Sequence, residues 1–160
     1  MTRKNSNYHL KTPIGTALIE GNKNGVEKIN ILSEAPKALI QDAELLEVAQ
    51  QLESYFKGEL KEFNFPIQLE GTPFQQRVWK VLLNIPYGKT MSYLELSKQL
   101  GDPKAIRAVA SANGKNPVWI VVPCHRVIGS DGSLTGYVGG LWRKKWLLEH
   151  ESPAKQQSLF

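Results

Sequence analysis

Apolar and polar residues alternate in three short segments near the start of the chain, and a period of two is typical of β-strands. The segments cover residues 8–11, 16–20 and 26–32, and residues 21–25 supply turn-forming residues between the last two. From Ala43 apolar residues recur every three or four positions until Gly58, a typical residue just after a helix end. This part of the sequence predicts a β-meander with one amphipathic helix packed on it.

The pattern changes again near residue 70. Residues 63–71 contain Pro66 and have an extended pattern, which predicts a last strand that runs into a linker. We therefore expect a domain boundary near Glu70, with a first domain over residues 1–70, a second over residues 71–152 and a flexible tail over residues 153–160. Nothing in the first domain points to chemistry, so we expect it to be a scaffold.

Three helix starts follow in quick succession in the second domain. Each has a residue that can cap a helix and, close behind it, a capping-box partner or a proline: Thr72 with Pro73 and Gln75, Ser92 with Glu95, and Asp102 with Pro103. These signals predict helices over residues 73–84, 93–100 and 103–112. Short helices joined by tight turns form a helix-turn-helix, and the third helix would be its recognition helix.

The third predicted helix carries mainly small side chains. Four of its residues are alanines, and Arg107 is the long side chain in its middle. Such a helix has few side chains with which to read base edges in DNA, although its backbone can approach a groove closely. Tight packing against a protein core explains the same composition.

The single cysteine follows an apolar run. Residues 118–122 predict a buried strand that ends at Pro123 and presents Cys124, His125 and Arg126. A lone cysteine in an apolar setting is commonly an inert core residue, but positive charge from the two following residues would raise its thiolate fraction. Because neighbouring side chains of a strand point to opposite faces, Cys124 and His125 need a bend or a bridging water to exchange a proton.

The C-terminal part predicts a turn, a loop and a helix. Residues 129–132 form turns readily, and residues 135–140 make a glycine-rich loop whose amides could approach a flat ligand. We expect the helix at residues 141–149, with Leu147 and Leu148 towards the core. Its exposed residues would be Arg143, Lys144 and Lys145. The carboxylates that could orient the imidazole of His125 are those of Glu149 and Glu151.

Charge and composition narrow the function. Residues 1–71 carry 8 Lys and Arg against 10 Asp and Glu, whereas residues 72–160 carry 12 against 5. The basic second half suggests contact with a polyanion, although a solvated basic face gives the same count. One cysteine excludes an internal disulfide, and three scattered histidines predict no metal site. We find no leader and no membrane-spanning run, so we expect a cytoplasmic protein, and no residue pattern predicts a cofactor.

The residues around Cys124 resemble those of the O6-alkylguanine-DNA alkyltransferases. The matching residues are Pro123, Cys124, His125, Arg126, Val127 and Ile128, followed by Tyr137, Gly139 and Gly140. The likeness spans residues 72–152, because Asn116-Pro117, Met91-Ser92-Tyr93 and the stretch from Trp146 to Glu151 match as well. It implies an α+β fold, with an N-terminal ribonuclease H-like β-meander plus helix and a C-terminal winged-helix-like helix-turn-helix alkyltransferase domain.

The resemblance also implies a reaction. Such a protein binds duplex DNA, flips out an O6-alkylguanine and transfers the alkyl group to Cys124; O4-alkylthymine is a further candidate substrate. Water does not hydrolyse the resulting thioether and the chain has no second cysteine, so each molecule would react once. We expect the protein to act as a monomer. His125 would be the base acting through a water, Glu151 the carboxylate that polarises it, and Asn116 the brace of the turn.

Roles in DNA binding follow from the same resemblance. Arg107 would enter the base stack, and Tyr93 would crowd the phosphate of the flipped nucleotide and hydrogen-bond its base. The other residues implied in DNA or base binding are Ser111, Gly114, Val127, Tyr137 and Val138, together with the main chain of Cys124. Two residues depart from the family: Trp119 stands where smaller residues are usual, and Val138 replaces a frequently polar residue. Both bear on the tolerance of bulky alkyl groups.

Two other functions remain open from the residues alone. A cysteine hydrolase would also use Cys and His but would turn over repeatedly, and a helix-turn-helix regulator would bind selected sequences with an inert thiol. A separate hypothesis concerns the last residues, Gln156 to Phe160, which resemble the peptides with which bacterial replication proteins dock on the sliding clamp. A frayed terminus is the alternative for this segment.

Overall fold

The structure is a computed structural model that describes residues 5–152 of a chain that divides into two compact units, residues 1–70 and residues 71–160. The first unit is built on a sheet and the second mainly on helices, which confirms the α+β class. The segment from Gln156 to Phe160, with its predicted docking on the clamp, lies outside the described residues. No helix in the described part of the chain is long and apolar enough to cross a membrane.

The first unit holds an antiparallel sheet in the order β1-β2-β3, as the alternating pattern predicted. The strands are β1 (Ser6–Thr12), β2 (Gly15–Asn22) and β3 (Gly25–Ile31). In the middle strand Ala17 and Ile19 are buried on one face, because alternate side chains of a strand share a face. Helix α1 (Leu46–Phe56) follows a single 3-10 turn, contacts β1 and buries its apolar side, which the three- and four-residue spacing predicted.

Residues 63–71 do not form the predicted strand. They meet β3 through one parallel bridge between Val26 and Ile67. In this bridge the Val26 N–H donates to Pro66 O at 2.9 Å, and the Gln68 N–H donates to Val26 O at 2.7 Å. Pro66 has no N–H with which to extend the pairing, so an extended segment with a proline makes a local contact here instead of a strand.

The second unit is built on four helices and a minimal parallel sheet. The helices are α2 (Pro73–Leu82), α3 (Tyr93–Gln99), α4 (Ile106–Gly114) and α5 (Leu141–Glu151), and the sheet pairs β4 (Met91–Ser92) with β5 (Val127–Ile128). Helices α2, α3 and α4 contact one another, as a helix-turn-helix arrangement requires. The capping boxes of Thr72 with Gln75 and of Ser92 with Glu95 are both present, so the predicted starts of α2 and α3 are confirmed.

Helix α4 begins later than predicted. The expected start at Asp102 and Pro103 is wrong, because the Asp102 side chain accepts a hydrogen bond from the Lys104 N–H at 2.9 Å and its carbonyl accepts one from the Ala105 N–H at 3.1 Å. These bonds form a separate turn, and the helix starts at Ile106 without a capping side chain. It runs to Gly114, two residues beyond the predicted end. The capping motif was therefore present but served a turn.

Residues 118–122 form a tight turn, so the predicted buried strand is wrong. The Val122 N–H donates to Val118 O at 3.1 Å and the Val121 N–H donates to Trp119 O at 2.8 Å. These backbone groups bond within the turn, whereas in a strand they would bond to a neighbouring strand. Ile120 has φ 74°, a conformation that costs free energy in a β-branched residue. The apolar composition reflected burial of this turn rather than a strand.

Helix α5 is two residues longer than predicted and presents a different face to the interior. Lys144, which we expected to be exposed, has 0% of its surface accessible, whereas Lys145 is exposed as predicted. Lys144 lies one turn before Leu147 and two turns before Glu151, and all three are buried because they share a helix face. Leu148, predicted to face the core, is half-buried.

Replacing Trp79 by Phe should lower the free energy of unfolding by about 1–3 kcal/mol. The buried indole N–H of Trp79 donates to Ala112 O at 2.9 Å and so joins α2 to α4. Phe would remove this bond and leave Ala112 O with only the longer one from the Lys115 N–H, at 3.2 Å. Urea unfolding followed by far-ultraviolet circular dichroism measures the change. Trp142→Phe is the matched control, because Trp142 is 55% exposed and its replacement should cost less than about 0.5 kcal/mol. Equal effects of the two variants would contradict this role of Trp79.

Candidate active site

A cavity of about 590 Å³ opens in the second unit next to Cys124. Its walls come from α3, α4, the turn at residues 118–122 and the glycine-rich loop, and they include Tyr93, Asn113, Trp119 and Tyr137. A cavity of this size is within the range of small-molecule sites in proteins. The cavity therefore joins the cysteine to the loop that we expected to approach a flat ligand.

The structure brings part of the predicted site together at this cavity. Five of the predicted site residues line it: Tyr93, Gly114, Cys124, Tyr137 and Val138. Four others are buried and are not among the residues that line it: Asn116, His125, Val127 and Glu151. The two remaining residues, Arg107 and Ser111, are exposed on α4.

Helix α4 has one buried side and one exposed side. Val109 and Ala112 are buried against the rest of the unit, which is the packing role. Arg107, Ala108 and Ser111 are exposed on the opposite side, where small side chains leave the backbone accessible. Small residues therefore occur on both the packed face and the exposed face of this helix.

Cys124 lies in a single 3-10 turn, Cys124–Arg126, so the local bend between Cys124 and His125 is present. Only 5% of Cys124 is exposed, and burial raises the pKa of its thiol to about 11 against the opposing effects of a hydrogen bond from Asn116 and the charge of Lys144. We expected the charges of His125 and Arg126 to favour the thiolate. That expectation is wrong, because both side chains turn to Glu151 instead.

The carboxylate of Glu151 is shared by two buried side chains. His125 Nε2 lies 2.8 Å from Glu151 Oε2, while Arg126 donates from Nε to Oε1 at 2.8 Å and from Nη2 to Oε2 at 3.1 Å. Arg126 also donates from Nη1 to Ile85 O at 2.7 Å. Of the two carboxylates that we considered, Glu149 is exposed and faces Lys145, so Glu151 is the partner of His125. The role of Arg126 in this group was not anticipated.

This arrangement determines the protonation states of Glu151 and His125. Burial alone would raise the pKa of the Glu151 carboxyl, but the charges and hydrogen bonds of His125 and Arg126 outweigh burial and hold that pKa well below its usual range. Burial lowers the pKa of His125 although Glu151 opposes this effect. A neutral imidazole beside a carboxylate carries its proton on Nε2, so Nδ1 of His125 keeps a lone pair that can accept a proton.

Three buried polar atoms near Cys124 have no hydrogen-bond partner: Asn113 Oδ1, His125 Nδ1 and Tyr137 Oη. Buried polar atoms normally have hydrogen-bond partners, so a group of them without partners beside a cavity indicates a site that is completed by a polar ligand or by water.

Asn113 was missed by the sequence reasoning. Its Nδ2 donates to Cys124 O at 3.4 Å, and its position at the end of α4, three residues before Asn116, was the available signal.

Aromatic rings and glycines give the cavity its flat walls. The rings of Trp119 and Tyr137 are 5.6 Å apart, and a side chain on Gly139 would meet Tyr137 at 2.8 Å and Trp119 at 3.0 Å. Gly139 therefore permits the close approach of the loop to both rings. Tyr93 on the facing helix donates from its hydroxyl to Thr135 O at 3.4 Å.

The turn before Cys124 is held by one side chain. Asn116 Oδ1 accepts from the Val118 N–H at 2.9 Å, and its Nδ2 donates to Val122 O at 2.7 Å, so that the amide spans both ends of the turn. Within residues 5–152 no three His, Cys, Asp or Glu side chains are grouped so that they could hold a metal ion.

Comparisons with known proteins agree with the geometry of both units. Residues 73–153 match the family model of the 6-O-methylguanine DNA methyltransferase DNA-binding domain, and residues 8–69 match that of the ribonuclease-like domain of the same proteins. The chain is 46% identical over 148 residues to the methylated-DNA--protein-cysteine methyltransferase of Methanosarcina acetivorans, which covers 89% of this chain and 95% of that protein.

A solved structure matches most of the chain. The crystal structure of Mycobacterium tuberculosis OGT in complex with DNA is 46% identical, covers 93% of this chain and 96% of its own, and superposes with a TM-score of 0.84. A second M. tuberculosis structure, of the O6-methylguanine methyltransferase, covers 98% of this chain at 42% identity with the same TM-score. On these matches the chain belongs to the 6-O-methylguanine DNA methyltransferase family.

Proposed function

We propose that Cys124 takes the alkyl group from an O6-alkylguanine that is flipped out of duplex DNA into the cavity beside it. As a member of its family, the protein repairs DNA by direct transfer of the alkyl group to its own cysteine. The observation that carries the proposal is the position of the chain's one cysteine, on the wall of a cavity and next to the buried His125 and Glu151. O6-alkylguanine is the primary substrate, and O4-alkylthymine is a second candidate.

The proposed chemistry begins with the proton of the Cys124 thiol. His125 Nδ1 accepts it through a bridging water, since that nitrogen has no other partner and its ring is held by Glu151. Arg126 keeps Glu151 ionised, so that the carboxylate can stabilise the imidazolium that forms. The sulfur then bonds to the alkyl carbon, the bond from that carbon to O6 breaks, and the guanine takes the electron pair and finally the proton.

The proposed base pocket uses the walls of the cavity. Tyr93 and Tyr137 bring hydroxyl groups and rings to the base, and Cys124 and Val138 line the same cavity. Val127 does not line it: it is buried, and its N–H donates to Cys124 O. Asn113 Oδ1 adds a buried acceptor without another partner. Trp119 occupies space at the side of Tyr137, which restricts the room for a bulky alkyl group.

Helix α4 is the proposed contact with the duplex. Its exposed side carries Arg107 and Ser111, with Gly114 at its end beside the cavity. Small residues let the helix backbone approach the groove, and Arg107 is long enough to replace the stacking of the base that has left the helix. Few base-reading side chains are needed, because repair has to tolerate any surrounding sequence, while the basic second half supplies attraction to phosphates.

The product explains why one protein molecule should repair one lesion. Transfer leaves a thioether on Cys124, and the chain has no second cysteine to which the group could pass. All proposed residues of the site belong to one unit of one chain, which supports action as a monomer. Because the proposed substrate is chromosomal DNA, we place this action at the nucleoid in the cytoplasm.

Incubation with a duplex that contains one O6-methylguanine should add one methyl group to each protein molecule. Intact-protein mass spectrometry measures the gain, and Cys124→Ser should show none because a hydroxyl is a far weaker nucleophile than a thiolate. The gain should stop at one methyl even with excess substrate. A wild-type protein that binds the duplex without gaining mass would refute the proposal, and repeated turnover would favour a hydrolase.

Replacing Glu151 by Gln should both slow the transfer and destabilise the fold. The imidazole loses its ionic partner and Arg126 is left buried without its counter-charge, which should cost about 3–5 kcal/mol of the free energy of unfolding. We expect transfer to slow by at least about tenfold, in line with lost acid-base assistance. Glu149→Gln is the control, since Glu149 is exposed and its loss should change neither quantity appreciably.

The stability gained from Glu151 should depend on pH in a defined direction. The pKa of this carboxyl is lower in the folded protein than its unfolded value of about 4.3, so the gain is complete above that value and is lost as the pH falls through the lower folded pKa. The difference in unfolding free energy between wild type and Glu151→Gln should therefore shrink on acidification below about pH 4. A difference that stays constant or grows would contradict the assignment.

We also propose that the tail docks on the sliding clamp. The support is the sequence from Gln156 to Phe160, in which glutamines precede a leucine and a terminal phenylalanine. Deletion of these five residues should abolish clamp binding, measured by surface plasmon resonance, without changing methyl transfer in solution. No binding by the intact chain would end this proposal.

A further inference from the structure

A buried lysine, Lys144, contacts residues that line the same cavity as Cys124, and it is not among the residues assigned above. Lys144 on α5 has no accessible surface, and its Nζ donates to Thr135 O at 2.9 Å and to Gly136 O at 3.5 Å. The same nitrogen lies 5.8 Å from the centre of the Tyr93 ring. Lys144 therefore connects α5 to the loop and to the helix that form two walls of the cavity.

Burial of an ammonium group without an opposite charge is costly, so the reason for it must be found among its neighbours. In the part of the chain that the structure describes, no carboxylate forms an ion pair with Lys144, whereas Arg126, the other buried cation of the site, has Glu151. The partners of Lys144 are carbonyl oxygens and an aromatic ring, which stabilise a cation but carry no charge. A group that becomes negatively charged during the reaction would supply the missing partner.

Cys124 is the group that meets this description. The charge of Lys144 lowers the pKa of the Cys124 thiol, and the thiolate in turn raises the pKa of Lys144, so each stabilises the charged form of the other. The other titratable groups around the pair are Tyr93, Tyr137 and His125, while Glu151 is already engaged by Arg126. Lys144 lowers the pKa of His125, so its charge opposes a second cation and favours an anion in the same space.

We propose that Lys144 is a positioning residue for the alkyl transfer, which holds the Thr135–Gly136 wall of the cavity and stabilises the negative charge that arises on Cys124 and passes to the guanine. This inference rests on the proposed transfer reaction. When the thiol proton leaves for His125, one negative charge appears on sulfur; as the sulfur–carbon bond forms and the carbon–O6 bond breaks, that charge moves to the guanine. A fixed cation near this path stabilises the negative charge at each stage without moving.

The titration of Lys144 gives the inference a signature in pH. Burial lowers the pKa of Lys144 to about 8 although the Cys124 thiolate opposes the shift. Below that pH the lysine is charged and favours the thiolate; above it the lysine becomes neutral and the help is lost. The reactivity of the thiol should therefore rise with pH up to about pH 8 and rise less steeply beyond it, instead of increasing tenfold per unit up to the thiol pKa.

The experiment compares wild type, Lys144→Met, Lys144→Arg and Lys145→Met. Methionine keeps the length of the side chain without its charge, and Lys145 is the adjacent exposed lysine that pairs with Glu149. For each protein the rate of methyl transfer from an O6-methylguanine duplex and the rate of thiol alkylation by iodoacetamide are measured between pH 6.5 and pH 9. The affinity for the duplex is measured at one pH, with circular dichroism as the check of folding.

We expect Lys144→Met to lose about tenfold in both rates at pH 7, equivalent to one pH unit in thiolate fraction, and to approach wild type above pH 8. Lys144→Arg should recover part of the loss, and Lys145→Met should match wild type. A loss that is the same at every pH, or no loss, would overturn the role. If Lys144→Met does not fold, the wild-type profile decides, because a slope that stays tenfold per unit beyond pH 8 would also overturn it. Absence of methyl transfer in wild type would instead refute the proposed function.

Discussion

The carboxylate of Glu151 is the point on which the active site depends. It is buried at the end of α5, and it holds His125 from one oxygen and Arg126 from both. A buried carboxylate persists only if its charge is matched, and here Arg126 supplies the match while also bonding the carbonyl of Ile85 after α2. The turn that carries Cys124 and the segment around Ile85 are thereby tied to α5. The contacts that orient the imidazole of His125 therefore also fix the position of that turn.

The fold was predictable where a residue's role is decided locally. The alternating strands of the first unit and the capping boxes at Thr72 and Ser92 follow from neighbours within a few positions, and both were found. The apolar run at residues 118–122 was misread because composition records burial but not direction. Its course is set by the Asn116 amide, which joins both ends of the turn and holds Ile120 in a left-handed conformation that no periodicity indicates.

The candidate site was predictable as far as a motif defines it. Cys124 and His125 are adjacent in sequence, and the resemblance pointed to Glu151, which the structure joins to His125 at 2.8 Å. The motif did not show that Arg126 would bond Glu151 instead of lying near the thiol of Cys124. Which of these contacts forms depends on how helices distant in sequence pack together. Asn113 was missed for a related reason. It belongs to the site because its buried Oδ1 has no hydrogen-bond partner, and only the three-dimensional structure shows this.

Lys144 shows the same limit most clearly. Three consecutive basic residues begin at Arg143, and a helical pattern predicts that charged residues lie outside, yet the middle one shares its face with Leu147 and Glu151. A buried cation in a site that must pass a negative charge from sulfur to a base is stabilising during the reaction and costly before and after it. A resting thiol with a pKa of about 11 fits this division, because the protein then keeps its nucleophile protonated until a substrate occupies the cavity and His125 accepts the proton through the bridging water.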